Sequence, residues 1–535
     1  MPSAGIIERE LEKEYEASPL DAERDLPAVQ IDIPKERLEL PEGASVFVKE
    51  IQIVGNSVLS DRDLGRVKAV YEGKDLSIKE VYELCDLLDQ FYASKGFFLA
   101  RTYPPPQEVR DGVLTIRVIE GCLGRISVEG NHYYSSSFIL SYFAGLQGKP
   151  LCHKDFFRQL MLLNDNHDLI VGALFEKGKE FGCADVILRV KDERPIHLYL
   201  NGNNYGRNLT TTSRFGGRLD WGNLIFQGDQ FSVAEVVGFP FDALYFTDAK
   251  YFVPLNRKGT SMEISYLFSR FHVKELTNLD PRGKSDIATL KFNQAVKRSR
   301  DLSLDAFIYF DVKQIQNSIL SRRISFDKLR VLTFGALWDH YGWGGRDYLN
   351  MRMATGIPDF MHGLKSVDRR SSRVGGGGKF FKFNADYDRL QPLPANWFFS
   401  FHTSVQLSPS KLTVPEQIYI GGSDTVRGFP LAVAVGDSGY FCNLEMRFPL
   451  PFLAEKQFFN FNKKWKDVIQ LDAFVDHGGV FLQSIKNTFL WGTGAGIRVY
   501  GPYSVTLSVD FGFPLNRSDL TNSFFYYLKL TSRPF

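Results

Sequence analysis

From residue 195 to residue 535, apolar and polar residues alternate with a period of two, and no helical periodicity interrupts them. Ser261–Ser269 places Met262, Ile264, Tyr266 and Phe268 on one face. Leu302, Leu304, Ala306, Ile308 and Phe310 alternate with Ser303, Asp305, Tyr309 and Asp311. The same pattern sets Trp397, Phe399, Phe401, Thr403 and Val405 against Ser400, His402, Ser404 and Gln406, and Val505, Leu507, Val509 and Phe511 against Thr506, Ser508 and Asp510. Such alternation puts one face of each strand in apolar surroundings and the other in water. A soluble sandwich shows it too, so length decides. A membrane strand takes about 9–11 residues, and with its share of turns roughly 20. The 341 residues of this region therefore make about 16 strands, an even number suited to a single-chain barrel wide enough for an aqueous lumen. The last strand carries Phe524, Tyr526, Leu528 and Leu530 on one face, whereas the terminal Phe535 falls on the other, with Pro534 as a bulge that restores register.

Composition supports strands over helices. There are 46 Phe, 23 Tyr and 46 Gly but only 7 Met, and no apolar run approaches the ~18 residues of a membrane-spanning helix. Lys+Arg 64 against Asp+Glu 62 leaves a net charge of +2, which gives no electrostatic footing for nucleic acid. Cys85, Cys122, Cys152, Cys183 and Cys442 show neither CxxC nor Cys/His ligand spacing, so neither a metal nor a cofactor is expected. Small buried thiols are the favoured reading, with one or two disulfides open to the four cysteines before residue 195.

The first 194 residues read differently. Residues 1–45 hold a charged helix candidate, Ile6–Ala17, and a linker, Ser18–Gly43, punctuated by Pro19, Pro27, Pro34 and Pro41. Met1–Leu20 has no basic n-region and no apolar h-region, so it is not a signal peptide; the expectation is a processed chain or one that starts downstream. Residues 46–121 read as β-α-α-β-β: a strand Val46–Val54 closed by Gly55-Asn56, a helix Ser60–Tyr71, a second helix opened by the capping box Ser77-x-x-Glu80 and ended at Gly96, then strands Phe97–Thr102 and Val113–Glu120. The order repeats over residues 122–194: a strand Gly124–Val128 closed by Gly130-Asn131, helices Ser135–Leu146 and Lys154–Asn164, and strands Ile170–Phe175 and Ala184–Val190. Neither unit contains a catalytic cluster, so both read as interaction modules.

Within the barrel region, Glu416–Phe429 combines Gly421-Gly422 and Gly428 with Arg427 between hydrophobes. On composition alone it is equally an exposed loop with a solvated Arg. About fifty residues on, Phe474-Val-Asp-His-Gly478 lies in an alternating strand whose Asp476 faces the lumen. An in-folded Arg427 and a wall Asp476 invite a buried bidentate ion pair that fixes one geometry. His477 does not join Asp476 in acid–base work, because strand neighbours face opposite sides. Gly492-Thr-Gly-Ala-Gly496 lacks the βαβ unit of a dinucleotide loop, and Gly375–Lys379 lacks the Ser/Thr of a phosphate loop; both read as turn or lumen glycines.

Residues 46–535 resemble the outer-membrane transporters of two-partner secretion, the TpsB proteins, within the wider superfamily of outer-membrane assembly factors. The resemblance rests on Gly55-Asn56, Tyr103–Gln107 and Asp111–Gly121 for a first polypeptide-transport-associated (POTRA) domain, and on Gly124–Pro195 for a second. In the barrel it rests on Asn204–Gly206, Gly228-Asp229, Tyr251–Leu255 with Gly259, Val426-Arg-Gly-Phe429, Gly436–Gly439 and Phe474–Gly478. It implies that Arg427 pairs with Asp476 to hold the loop, that Val426 and Phe429 pack it, and that Gly428 and Gly478 let backbones approach. Phe474 belongs to the same wall motif.

It further implies POTRA domains in the periplasm that capture an unfolded secreted exoprotein (TpsA), of haemolysin or adhesin type, by β-augmentation. Contact with outer-membrane lipids and with the barrel assembly machinery is implied as well. A helix at the place of Ile6–Ala17 plugs the barrel in this family, whereas the residues alone read as a solvated arm. The alternative is a BamA-like assembly factor, which shares the Arg-Gly-Phe loop but carries more POTRA domains. An enzyme would need a Ser/His/acid or paired-acid site, which cannot be assigned, and a passive porin would not need the two modules.

Overall fold

The structure, a computed structural model, describes residues 28–32, 45–207, 210–273, 279–459, 463–482, 487–502, 504–516 and 523–534. The helix candidate Ile6–Ala17, most of the linker and Phe535 lie outside them. The described residues divide into two units, one of residues up to Arg194 together with Arg298–Arg300, the other of the remaining residues from Pro195 on.

The first unit opens with β1 (Val29–Asp32), then β2 (Ser45–Val48), β3 (Glu50–Val54), α1 (Asp61–Lys68), β4 (Lys74–Ser77), α2 (Ile78–Ser94), β5 (Arg101–Tyr103) and β6 (Val113–Ile119). Ser60 caps α1, and Ser77 with Glu80 forms the expected capping box on α2. Helix α2 buries Val81, Leu84, Cys85, Leu88 and Tyr92 against Ile51, Leu114, Ile116 and Val118. Burial pushes the Cys85 thiol up to about 12, which leaves it unreactive. The strand expected from Phe97 begins only at Arg101, because Gly96 at φ +99° closes α2 and a turn follows, with Ala100 N donating to Phe97 O.

The second module runs β7 (Cys122–Glu129), α3 (Ser136–Ser141), α4 (His153–Asn164), β8 (Leu169–Lys177) and β9 (Cys183–Asp192). Helix α3 stops short of Leu146, since Phe143 and Leu146 donate to carbonyls three residues back. The repeat extends to chemistry. After Gly55-Asn56, the backbone N–H groups of Ser57 and Val58 donate to Glu120; after Gly130-Asn131, those of His132, Tyr133 and Tyr134 donate to Asp192. Each module thus ties its first turn to an acid at, or one residue past, the end of its last strand.

The favoured all-thiol reading gives way to one of the disulfides left open, and the linker reading needs correction. Cys122 and Cys183 are register partners on the paired strands β7 and β9 and form a disulfide, leaving Cys85, Cys152 and Cys442 free. The proline-rich linker contains a strand: β1 adds in parallel to β8, with Val29 opposite Ala173 and Asp32 opposite Glu176. Flanking prolines hid this run, but its Val29 and Ile31 suit an extended edge.

The second unit is a closed antiparallel barrel. Its strands are β10 (Ile196–Asn203), β11 (Arg214–Gly222), β12 (Gln230–Gly238), β13 (Leu244–Pro254), β14 (Thr260–His272), β15 (Arg282–Arg298), β16 (Leu302–Ile319), β17 (Arg322–Gly342), β18 (Gly345–Gly356), β19 (Phe380–Leu393) and β20 (Trp397–Leu407). A small hairpin, β21 (Ile418–Ile420) with β22 (Ala434–Gly436), interrupts the series. The wall resumes with β23 (Ser438–Pro449), β24 (Ile469–Phe481), β25 (Thr488–Tyr500), β26 (Thr506–Pro514) and β27 (Phe525–Ser532). The sixteen wall strands match the number expected from length, and β27 closes on β10 through four register pairs. Alternation sorts the faces: Ile264, Tyr266, Phe334, Met353, Leu444, Trp491, Phe511, Tyr526, Leu528 and Leu530 are exposed on the outside. Inward positions such as Asp311, Asp472 and Asp476 are buried.

Candidate functional site: a loop clasped to the inner wall

Residues 408–437 connect β20 to β23 and turn back onto the inner face of the barrel. The hairpin β21–β22 stiffens the loop, and Ile418, Ile420, Val426 and Phe429 pack on Phe441, Val480 and Leu490 of the wall. This apolar seat brings Arg427 to the inner face of β24. Its Nε donates to Asp476 Oδ2 at 2.8 Å, its Nη2 to Asp476 Oδ1 at 3.0 Å, and its own backbone N–H to Oδ2 at 3.0 Å. The guanidinium carbon lies 3.4 Å from the centre of the Phe474 ring. Asp476 is 0% and Arg427 6% exposed, so both ions are removed from water and depend on each other.

The structure brings together more than the expected pair. Arg427 Nη1 also donates to Glu445 Oε2 on β23 at 2.9 Å and lies 3.5 Å from Asp510 on β26. Arg498 on β25 reaches Glu445 at 3.0 Å, Asp510 at 3.2 Å and Asp472 at 3.3 Å, and Arg447 reaches Glu445 at 2.7 Å. Three arginines thus meet four carboxylates across four neighbouring strands. From β27, Tyr527 accepts from Gly428 N at 3.0 Å and donates to Phe429 O at 3.3 Å.

Glycines make the seat possible. Gly428 adopts φ +92°, and a Cβ there would sit 2.7 Å from Phe513 C. On the wall, Gly492 and Gly494 of β25 and Gly512 of β26 all face inward. A Cβ on Gly492 would lie 2.0 Å from Arg427 O, one on Gly494 2.4 Å from Phe474, and one on Gly512 2.6 Å from Gly428 N. The segment that mimics a dinucleotide loop is therefore the side-chain-free floor beneath the loop tip. A Cβ on Gly478 would lie 3.0 Å from Val426 and 3.2 Å from Ile420. His477 points the other way, stacking on Trp491 with ring centres 3.8 Å apart and bonding Tyr440 at 2.9 Å.

The two feet of the loop have anchors of their own. Glu416 is 1% exposed and meets Lys313 of β16 at 3.0 Å and Lys382 of β19 at 2.8 Å. Gln406 of β20 donates to the carbonyls of both Glu416 and Asp437 at 3.0 Å, and Asp437 pairs with Arg373. Sequence reasoning missed Glu445, Arg498, Asp472, Tyr527 and the Glu416 pairs. Asp510 alone had a signal, since it sits on the polar face of its strand. Ions clasping a loop to a lumen wall can hold it in one geometry or release it.

Three comparisons place this arrangement. The profile described as "Haemolysin secretion/activation protein ShlB/FhaC/HecB" matches residues 182–499, and "POTRA domain, ShlB-type" matches residues 46–121. The heme/hemopexin transporter protein HuxB of Haemophilus influenzae is 20% identical over 97% of this chain and 92% of its own length, and the outer membrane transporter CdiB of Escherichia coli is 24% identical over 89% and 80%. Among solved structures, CdiB from Escherichia coli superposes with a TM-score of 0.78 at 22% identity over 94% of this chain and 92% of that one. CdiB from Acinetobacter baumannii gives 0.69 at 17% over 98% and 96%. With more than half of its length matched by that profile, with the ShlB-type POTRA domain and with a sixteen-stranded barrel, the chain belongs to the ShlB/FhaC/HecB haemolysin secretion/activation family, the TpsB outer-membrane transporters of two-partner secretion.

Proposed function

We propose that this transporter captures the unfolded N-terminal region of a large exoprotein of haemolysin or adhesin type on its periplasmic POTRA modules, and passes it through the barrel while the Arg427 loop acts as the gate. The observation that carries this reading is the loop itself: a discrete segment with its own hairpin, held to the lumen wall by the Arg427–Asp476 clasp. A gate must be seated in one geometry and still be removable, and a buried ion network on a glycine floor meets both needs. Capture by β-augmentation is supported by β8, whose edge takes up the extended segment β1 of the same chain. An exoprotein segment of similar β-branched character would compete with β1 or add to another edge. Outer-membrane lipids around the wall and the barrel assembly machinery that inserts it complete the proposed partners.

The test is a titration of the full-length transporter in lipid discs with the N-terminal secretion segment of a candidate exoprotein. Saturable binding that is lost when the segment is prefolded is expected. If no binding occurs, the capture step is wrong and an assembly-factor role gains ground.

A further inference from the structure

The outer wall carries a cavity of about 640 Å³ at the extracellular ends of β13 to β16, lined by Phe241, Tyr245, Arg270, Arg282, Lys284 and Gln316, among others. That volume lies in the range of small-molecule sites, roughly 300–1,000 Å³. We propose that it binds the phosphate-bearing headgroup of an outer-leaflet glycolipid of the lipid A type.

The placement follows from alternation. On the outward face of β14, Ile264 and Tyr266 are about half exposed, as lipid-facing residues are, and Leu290 and Phe292 continue that band on β15. Higher on the same face the character changes to Phe268, Arg270 and His272 on β14 and to Lys284 and Arg282 on β15. Arg270 is ten residues above the start of β14, and a membrane strand is about 9–11 residues long. The switch from aromatic to basic therefore falls at headgroup level, where phosphates lie.

The charge pattern calls for an anion. Arg270 and Lys284 are direct cross-strand partners, and so are His272 and Arg282. The Arg270 and Lys284 charges, placed directly opposite one another, destabilise the sheet unless something neutralises them. Asp280 serves the upper pair, at 2.6 Å from His272 and 3.0 Å from Arg282. For the lower pair, Asp286 holds Lys284 at 2.9 Å while also accepting from Tyr266. Arg270 has no carboxylate partner among the described residues; its guanidinium stacks on Phe268 at 4.8 Å, and Lys284 shares that ring at 5.6 Å. Asp242 also lines the cavity. A phosphate between Arg270 and Lys284 would accept from both, the guanidinium offering the fork that suits it. Phe241, 67% exposed on the neighbouring loop, and Tyr245, a register partner of Arg270, would cover the sugar and the first acyl carbons.

The test uses the whole transporter in detergent, freed of lipid, with bisphosphorylated lipid A as the probe and native mass spectrometry as the readout. Binding is expected to fall at least tenfold when the lipid's phosphates are removed, and by a similar factor in R270Q/K284Q protein that still shows the heat-modifiable band of a folded barrel. Inorganic phosphate at millimolar concentration should not displace the lipid. Equal binding of dephosphorylated lipid A to the unaltered protein overturns the proposal whatever the variant does. Equal binding by the folded variant, or full displacement by free phosphate, overturns it as well.

Discussion

Replacing Arg427 by Ala removes the centre of the lumen network. The variant leaves Asp476 fully buried with no counter-ion, and it tips the balance of three arginines against four carboxylates to two against four. Breaking a buried pair by truncating one partner costs about 3–5 kcal/mol, which at about 1.36 kcal/mol per decade is roughly two to four decades in the equilibrium for seating the loop tip. The barrel itself should survive, because its ladder closes without the loop. Glu416 and Asp437 still hold the two feet, so the tip is the part expected to lift. Thr425 supplies a reporter: it is 1% exposed and its hydroxyl has no hydrogen-bond partner among the described residues, so Thr425→Cys is a mild change that a thiol reagent reaches only when the tip is unseated.

In that background, Arg427→Ala should show a normal heat-modifiable barrel, labelling faster by two decades or more, and impaired exoprotein secretion. Asp476→Asn should be milder, since it leaves three arginines against three carboxylates. Arg427→Lys should fall between, keeping the charge without the fork. Unchanged labelling with full secretion by Arg427→Ala would refute the clasp.

Two other outcomes can be measured. Asp192→Asn should destabilise the second module by about 1.5–3 kcal/mol, the worth of hydrogen bonds to a charged acceptor. Burial raises this carboxyl, but three backbone N–H donors outweigh it and hold it below its ordinary 3.8. A depressed folded value gives stability that is present above 3.8 and lost as pH falls through the lower folded value, so denaturation midpoints of variant and unaltered protein should converge in acid. Glu416→Gln leaves Lys313 and Lys382 without their shared buried carboxylate, and should lower the barrel's heat-modification midpoint and secrete partially, with the Arg427 contacts intact; an unchanged midpoint would show that this foot is redundant.

What could be read from the sequence follows from the range over which each feature is encoded. A barrel strand declares itself locally, because period two is a property of neighbours, and a known strand length turns 341 residues into about sixteen strands. Arg427 and Asp476 were legible in a different way: composition left the Arg427 segment equally an exposed loop, and the resemblance carried by Val426-Arg-Gly-Phe429 and Phe474–Gly478 supplied the pairing. Glu445, Asp472 and Arg498 look like any other polar lumen residue until closure fixes which strands are neighbours and in what register. The disulfide is hidden in the same way, since Cys122 and Cys183 are 61 residues apart and meet only because β7 and β9 pair in parallel.

Gly492, Gly494 and Gly496 show the limit from the other side. Their spacing of two places them on one face of β25, and it excludes a nucleotide loop, which needs a strand-to-helix turn. Why that face must be bare cannot be read from β25 alone: the Arg427 carbonyl that occupies the space arrives from a loop some sixty residues earlier. The seat is thus encoded twice, as a glycine floor and as a glycine-bounded loop tip. Neither half has a reason without the other, so a substitution that fills the floor should unseat the loop as surely as one that removes Arg427.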